Sequence, residues 1–200
     1  FYTSALHPEE IRSSTLTEWT FFPGQTRIPE SMAPKFVSGF SSQAVIQANV
    51  PDGARGVLFC VGGLSGGFTV FMDDGALCAE YNTLGIYRYK TRSAGAIPTG
   101  DVTIEVDLLY KEKKPQAPAE MILRVNGNEV ARGQVEHSVP AGFTASETFD
   151  IGIDLGSPVA LDYHEQAPFA FSGTLSKLHF KYTDGKERKP HPFLATLGIE

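Results

Sequence analysis

The densest acidic stretch runs from Asp150 to Tyr163. Asp150-Ile-Gly-Ile-Asp154, Ser157-Pro158 and Asp162-Tyr163 place three carboxylates close together on a Gly-kinked segment. Such a loop can offer hard oxygens to calcium. A calcium shell takes about 6–8 oxygens, and Asp150, Asp154 and Asp162 supply only three side chains. The expected reading is a turn whose carboxylates accept backbone N–H groups, with no metal or cofactor in this chain. Tyr87-Arg88-Tyr89 sets aromatics beside a cation, with Tyr81 shortly before. That chemistry stacks sugar rings, clamps anions or anchors a protein interface. Ordinary strand composition explains it first, docking second and sugar binding third.

The remaining reactive residues form no catalytic pattern. His7, His137, His164, His179 and His191 lack metal-ligand or triad spacing. Gly62-Gly63 and Gly66-Gly67 could suggest a phosphate cradle, but no helix follows to supply its dipole. A hairpin needing positive φ accounts for them. No catalytic residue is expected.

The elements that must position these groups are strands. Strand signals at 43–50, 56–61, 68–73, 76–82, 86–91, 102–110, 120–125, 129–136, 148–153 and 169–182 follow at short intervals, with turns such as Pro51-Asp52-Gly53, Asp74-Gly75 and Asn126-Gly127 between them. Abundant Gly (20) and Pro (13) suit many short turns. The pattern predicts an all-β fold, a two-sheet antiparallel β-sandwich of concanavalin-like jelly-roll type. Residues 1–35 read as a lead-in packed on the domain, with a helical turn near His7–Glu10. Residues 36–185 form the sandwich and 186–200 a tail. The loop 111–118 is charged and is placed on the surface.

Asp74-Gly75 is a strong hairpin signal and sets Phe71 opposite Cys78. Extending the meander gathers Val57, Phe59, Val61, Phe68, Val70, Met72, Leu77, Ala79 and Tyr81 on a core face. Leu58, Cys60, Thr69, Phe71, Cys78 and Glu80 then point the other way, toward solvent or a partner. Phe71 and the stretch Tyr87, Arg88 and Tyr89 are therefore docking candidates. Cover by the lead-in aromatics Trp19, Phe21 and Phe22 is the rival reading. Cys60 and Cys78 fall on strands separated by one other. Two strand spacings come to roughly 9.6 Å, beyond the ~7 Å Cα limit for a disulfide, so both are expected as free thiols. Free thiols fit a reducing compartment and favour a cytoplasmic over a periplasmic location.

A net charge of −6 argues against a nucleic-acid partner. No apolar run approaches the ~20 residues that span a bilayer, so no membrane role is expected. The start at Phe1 suggests a fragment or a processed product.

Three blocks carry a family resemblance. They are RIPESMAP (27–34) with GVLFCVGGLSGGFTVFMDDGALCAEYNTLGIYRY (56–89), LRVNGNEVARGQV (123–135), and FDIGIDLGSPVALDY (149–163) with FSGTLSKLHFKY (171–182). In order and spacing they resemble the C-terminal accessory region of large bacterial arylsulfatases, from about Thr20 to Tyr182. The VNGNEV hairpin and the F-x-G-x-L ending also resemble laminin-G and concanavalin-like sandwiches. The resemblance implies a parent sulfuric ester hydrolase whose metal-dependent catalytic domain carries a formylglycine made from Cys or Ser in C/S-x-P-x-R. Cys60 is followed by Val-Gly-Gly-Leu and Cys78 by Ala-Glu-Tyr-Asn, so neither matches, and no Ser does. The implied role is non-catalytic, docking on or covering the catalytic domain of the same polypeptide. An independent carbohydrate-binding module, with a glycan as partner, is the alternative.

Overall fold

The computed structural model describes residues 16–143 and 146–184. The expected turn at His7–Glu10, His191 and the tail 186–200 lie outside the described residues. Among the described residues, twelve strands form two six-stranded sheets. Sheet I has the order β1 (Glu18–Phe21), β12 (Thr174–Tyr182), β3 (Ser42–Val50), β8 (Gly100–Tyr110), β9 (Ala119–Val125) and β10 (Asn128–Val135). Sheet II has the order β2 (Ile28–Pro29), β11 (Thr148–Ile151), β4 (Gly56–Gly63), β5 (Gly66–Asp73), β6 (Ala76–Thr83) and β7 (Tyr87–Ala96). Neighbouring strands in both sheets run antiparallel. Two strands come from the segment read as a lead-in. β1 pairs with β12, and β2 pairs with β11. Trp19 and Phe21 thereby enter the main core instead of lying across an outer face.

Within sheet I, β8 follows simple alternation. Val102, Ile104, Val106 and Leu108 are buried between the sheets, while Thr103 and Glu105 are partly exposed on the other side. Asp107 also points outward, but Arg124 and Gln43 cover it. The two signalled hairpins form as expected. Asp74 and Gly75 both take positive φ, as do Asn126 and Gly127, matching the twist of the flanking strands. Phe71 faces Cys78 and Val70 faces Ala79.

Sheet II departs from the expected register at one point. A β-bulge between Val57 and Phe59 gives β4 one residue more than its partner, since Val57 pairs with Phe71 and Phe59 pairs with Val70. A bulge puts two residues of one strand against one of the other and resets the phase before it. Leu58 therefore joins the core cluster, while Val57 lies on the outer face beside Cys60, Phe71 and Cys78. The expected assignment of these two is reversed. Gly56, just before the bulge, has φ +104°, and a Cβ there would lie 2.1 Å from the Ala170 carbonyl oxygen. Only glycine lets the returning chain approach this closely, which permits the Val57 N–H to donate to the Phe169 carbonyl (2.9 Å).

Candidate functional site

The outer face of sheet II is neither open to solvent nor left for a partner. Phe71 has no exposed surface, so the expectation that it docks against another domain is overturned. The rival expectation, cover by the lead-in aromatics, is overturned as well. The lid is the segment between β11 and β12. It leaves the sheet at Gly152 and crosses the face through a short 3-10 helix at Leu161–Gln166. Val159, Ala160, Tyr163 and Phe169 close over Val57, Cys60, Phe71 and Cys78 in a second apolar cluster. The Phe71 ring meets Tyr163 edge-on at 5.2 Å, and Tyr163 stacks on Phe169 at 5.1 Å. Gly67 lies beneath it, where a Cβ would approach both Val159 methyls to 2.9 Å.

Polar groups pin the lid. The Tyr163 hydroxyl donates to Asp154 Oδ2 at 2.8 Å and sits 3.1 Å from Thr69 Oγ1. Glu80, buried on the same face, accepts from Arg88 Nη1 at 2.7 Å. The same Arg88 nitrogen donates to the Val159 carbonyl at 2.7 Å. Lys90 pairs with Asp162 on the lid and lies 3.8 Å from Glu80. Arg88, a docking candidate from sequence, is thus committed within the chain. Burial raises the Glu80 carboxyl above its ordinary range, against the pull of Arg88 and Lys90.

Of the three acidic candidates, the structure brings Asp150 and Asp154 together and sends Asp162 to Lys90. Cys60 takes the third place, because it lies opposite Asp150 in the β4–β11 ladder. One ligand atom from each of the three falls within 4.8 Å of the others, and all three residues are buried. Asp150 accepts the Arg27 N–H (2.5 Å), the Thr148 hydroxyl (3.2 Å) and the Leu155 N–H (3.3 Å). Asp154 Oδ2 also accepts the Val159 N–H (3.2 Å). These bonds are those of a turn capped by its carboxylates. Asp154 Oδ1, however, is buried with no hydrogen-bond partner. Burial is the main reason that the Asp154 carboxyl titrates high, despite the bonds from Tyr163 and Val159. Burial, with the charges of Asp154 and Asp150, pushes the Cys60 thiol well up. Cys78 rises to about 11, mainly by burial and against the pull of Arg92. Both cysteines are free.

Four exposed large apolar side chains gather at one end of sheet II, while Leu16, Phe22, Met32, Leu155 and Leu161, also exposed among the described residues, sit on other segments. The β4–β5 and β6–β7 turns lie side by side there: the Arg88 guanidinium reaches the Leu64 carbonyl, and Gly66 abuts the Leu84 backbone. Leu64 is 39% exposed, Leu84 41%, Ile86 70% and Tyr87 49%. Tyr87 stacks beside Tyr89 at 6.3 Å and lies 5.3 Å from the His137 ring. Tyr89 is half-buried, and its hydroxyl accepts the His137 N–H. Sequence reasoning singled out Tyr87 and Tyr89. It missed Leu64, Leu84 and Ile86, whose one signal was their place in adjacent hairpin turns.

The architecture has known counterparts. Domains LG4-5 of the mouse laminin α1 chain superpose with a TM-score of 0.54 at 16% identity, over 82% of this chain and 42% of that one. The fold is that of the laminin-G and concanavalin-like sandwiches. The LG1-3 region of the laminin α2 chain gives 0.53 at 12% identity, over 86% of this chain and 32% of that one. This laminin-G-like sandwich spans less than half of either laminin structure. The CBM40 of a Ruminococcus gnavus IT-sialidase, bound to α2,3-sialyllactose, gives 0.50 at 16% identity, over 74% and 80% of the two chains. No family model and no curated protein matches the chain. The likeness is one of fold and carries no sulfatase link.

Proposed function

We propose that this laminin-G-like sandwich is the non-catalytic C-terminal region of an arylsulfatase-like sulfuric ester hydrolase, packed on the catalytic domain by its hairpin end. The observation that carries this is the cluster of Leu64, Leu84, Ile86 and Tyr87, whose exposed apolar surface has no role within the sandwich. Contiguous apolar surface of this kind marks sites of association. The other surfaces fit the reading. The outer face of sheet II is covered by the lid, and that of sheet I alternates with polar groups. The order and spacing of the three sequence blocks are what support the proposed parentage.

A glycan-binding reading has one observation in its favour. Exposed Tyr87 stacks on half-buried Tyr89 at the rim beside His137, and an exposed ring of this kind takes a sugar face. One variant pair separates the readings. Leu84→Asp with Ile86→Asp alters exposed turn residues, so the chain should fold with its melting temperature within a few degrees of the parent. Its association with a separately expressed upstream sulfatase domain, followed by sedimentation, should weaken at least about tenfold, as expected of interface anchors. Unchanged association refutes the docking reading. Binding on a glycan array that disappears with Tyr87→Ala would establish the glycan reading in its place.

A further inference from the structure

We infer that Cys60, Asp150 and Asp154 form a buried structural site for a divalent cation of the zinc class, with the Ile153 carbonyl as fourth donor. Two features of the fold bring these donors together. The β4–β11 register sets Asp150 directly opposite Cys60, so both side chains leave sheet II on its outer face. The positive-φ turn at Gly152 then folds the chain back over that face, bringing Ile153 and Asp154 above the strands. The Ile153 carbonyl oxygen lies 3.7 Å from Cys60 Sγ. One ligand atom from each of the three side chains lies within 4.8 Å of the other two.

The unpartnered Asp154 Oδ1 points independently to a ligand. Asp154 is 1% exposed, and a carboxylate oxygen left buried without a donor is destabilising, because its lost hydration is not replaced. The lid satisfies Oδ2 twice, through Tyr163 and Val159; the Gly156 N–H and the Cys60 thiol also lie close to the carboxylate, but no donor reaches Oδ1 in hydrogen-bond geometry. A cation bound among these donors would satisfy it.

Donor chemistry selects the class of ion. A thiolate excludes calcium, which takes about 6–8 oxygens. Sulfur with carboxylate and carbonyl oxygen suits zinc or cobalt. Four donors without an open position describe a structural site, not a catalytic one. Bonds of about 2.0–2.3 Å in a tetrahedron separate the ligands by roughly 3.3–3.8 Å, so the side chains would close by about an ångström. On binding, the Cys60 thiol gives its proton to solvent and its sulfur lone pair to the ion. The Arg27 and Leu155 N–H groups and the Thr148 hydroxyl, already on Asp150, offset the remaining negative charge. Cys78 provides the contrast. It lies on the same face, but its neighbour is the Arg92 guanidinium at 3.2 Å, which repels a cation.

The test uses the 200-residue chain stripped by chelator and titrated with cobalt(II). One equivalent should produce a near-ultraviolet sulfur-to-cobalt charge-transfer band. Zinc should displace it, and either ion should raise the melting temperature by mass action. Cys60→Ser should abolish the band, and Cys78→Ser should leave it. Should Cys60→Ser fail to fold, Asp154→Asn keeps the side-chain shape and should weaken cobalt binding at least about tenfold. The proposal is overturned by a native chain that gives neither band nor thermal shift. It is equally overturned by a band that survives Cys60→Ser, or by stabilisation with calcium without any cobalt band.

Discussion

The two sheets differ in what lies on their outer faces, although each has six strands and both bury the same core. On sheet I, Gln47 and Asn49 alternate with buried Ile46, Ala48 and Val50, and water solvates the polar side. On sheet II, β4 and β6 are buried along their whole length and β5 nearly so. Strands buried on both faces read as near-continuous apolar runs. Such strands need a second supplier of apolar surface, and here the lid residues Val159, Ala160, Tyr163 and Phe169 provide it. A sandwich therefore has as many cores as it has covered faces, and a loop can serve as a layer.

This contrast breaks most sharply at Phe71. Phe71→Ala should destabilise the chain by about 3–5 kcal/mol, whereas Gln47→Ala on the open face of sheet I should change stability by no more than about 0.5 kcal/mol. Denaturant melts of the two variants check this, and similar midpoints would show that the lid contributes little.

A smaller effect sharpens the polar side of the second core. Asp154 titrates high in the folded chain because it is buried, with Asp150 adding to the rise. The unfolded chain therefore releases this proton first. The stability linked to it is full below the unfolded carboxylate pKa and is lost as pH rises through the folded value. In chelator-treated protein, Asp154→Asn should raise stability at pH 7–8. The gain should vanish near pH 4, as melting temperature against pH will read. Glu80 is raised in the same direction, so a weaker pH slope should persist in the variant.

The smallest effect concerns the rim of the lid. Lys90→Ala removes the pairs with Asp162 and Glu80. Because Lys90 is more than a third exposed, the loss should be about 0–1 kcal/mol and should shrink in high salt. A loss of several kcal/mol would mean that ion pairs, not aromatic packing, hold the lid down.

Where local chemistry decided the outcome, the sequence could be read. Asp74-Gly75 and Asn126-Gly127 demand their turns, and strict alternation fixes the faces of β8. The run GVLFCV has no alternation, so nothing in it marks the bulge that exchanges Val57 and Leu58. The lid was illegible for a different reason. Residues 154–168 have neither helical nor strand period, and their packing is set by sheet II, some 90 positions away in sequence for the Cys60–Asp150 pair. The acidic loop was recognised as capped turns, but its third neighbour is a thiol that only the pairing of β4 with β11 brings near.

The pairing of β1 with β12 has a mechanical consequence. Glu18 faces Lys181 and Phe21 faces Leu178, so the outer ends of both strands leave the sandwich at one corner. Tension that draws those ends apart acts along the interstrand hydrogen bonds, which lie perpendicular to antiparallel strands. Such loading opens the ladder one rung at a time, as a zip opens, instead of shearing all rungs together. Under force this corner yields first, and the extraction of Trp19 and Phe21 from their ring contacts sets the early resistance.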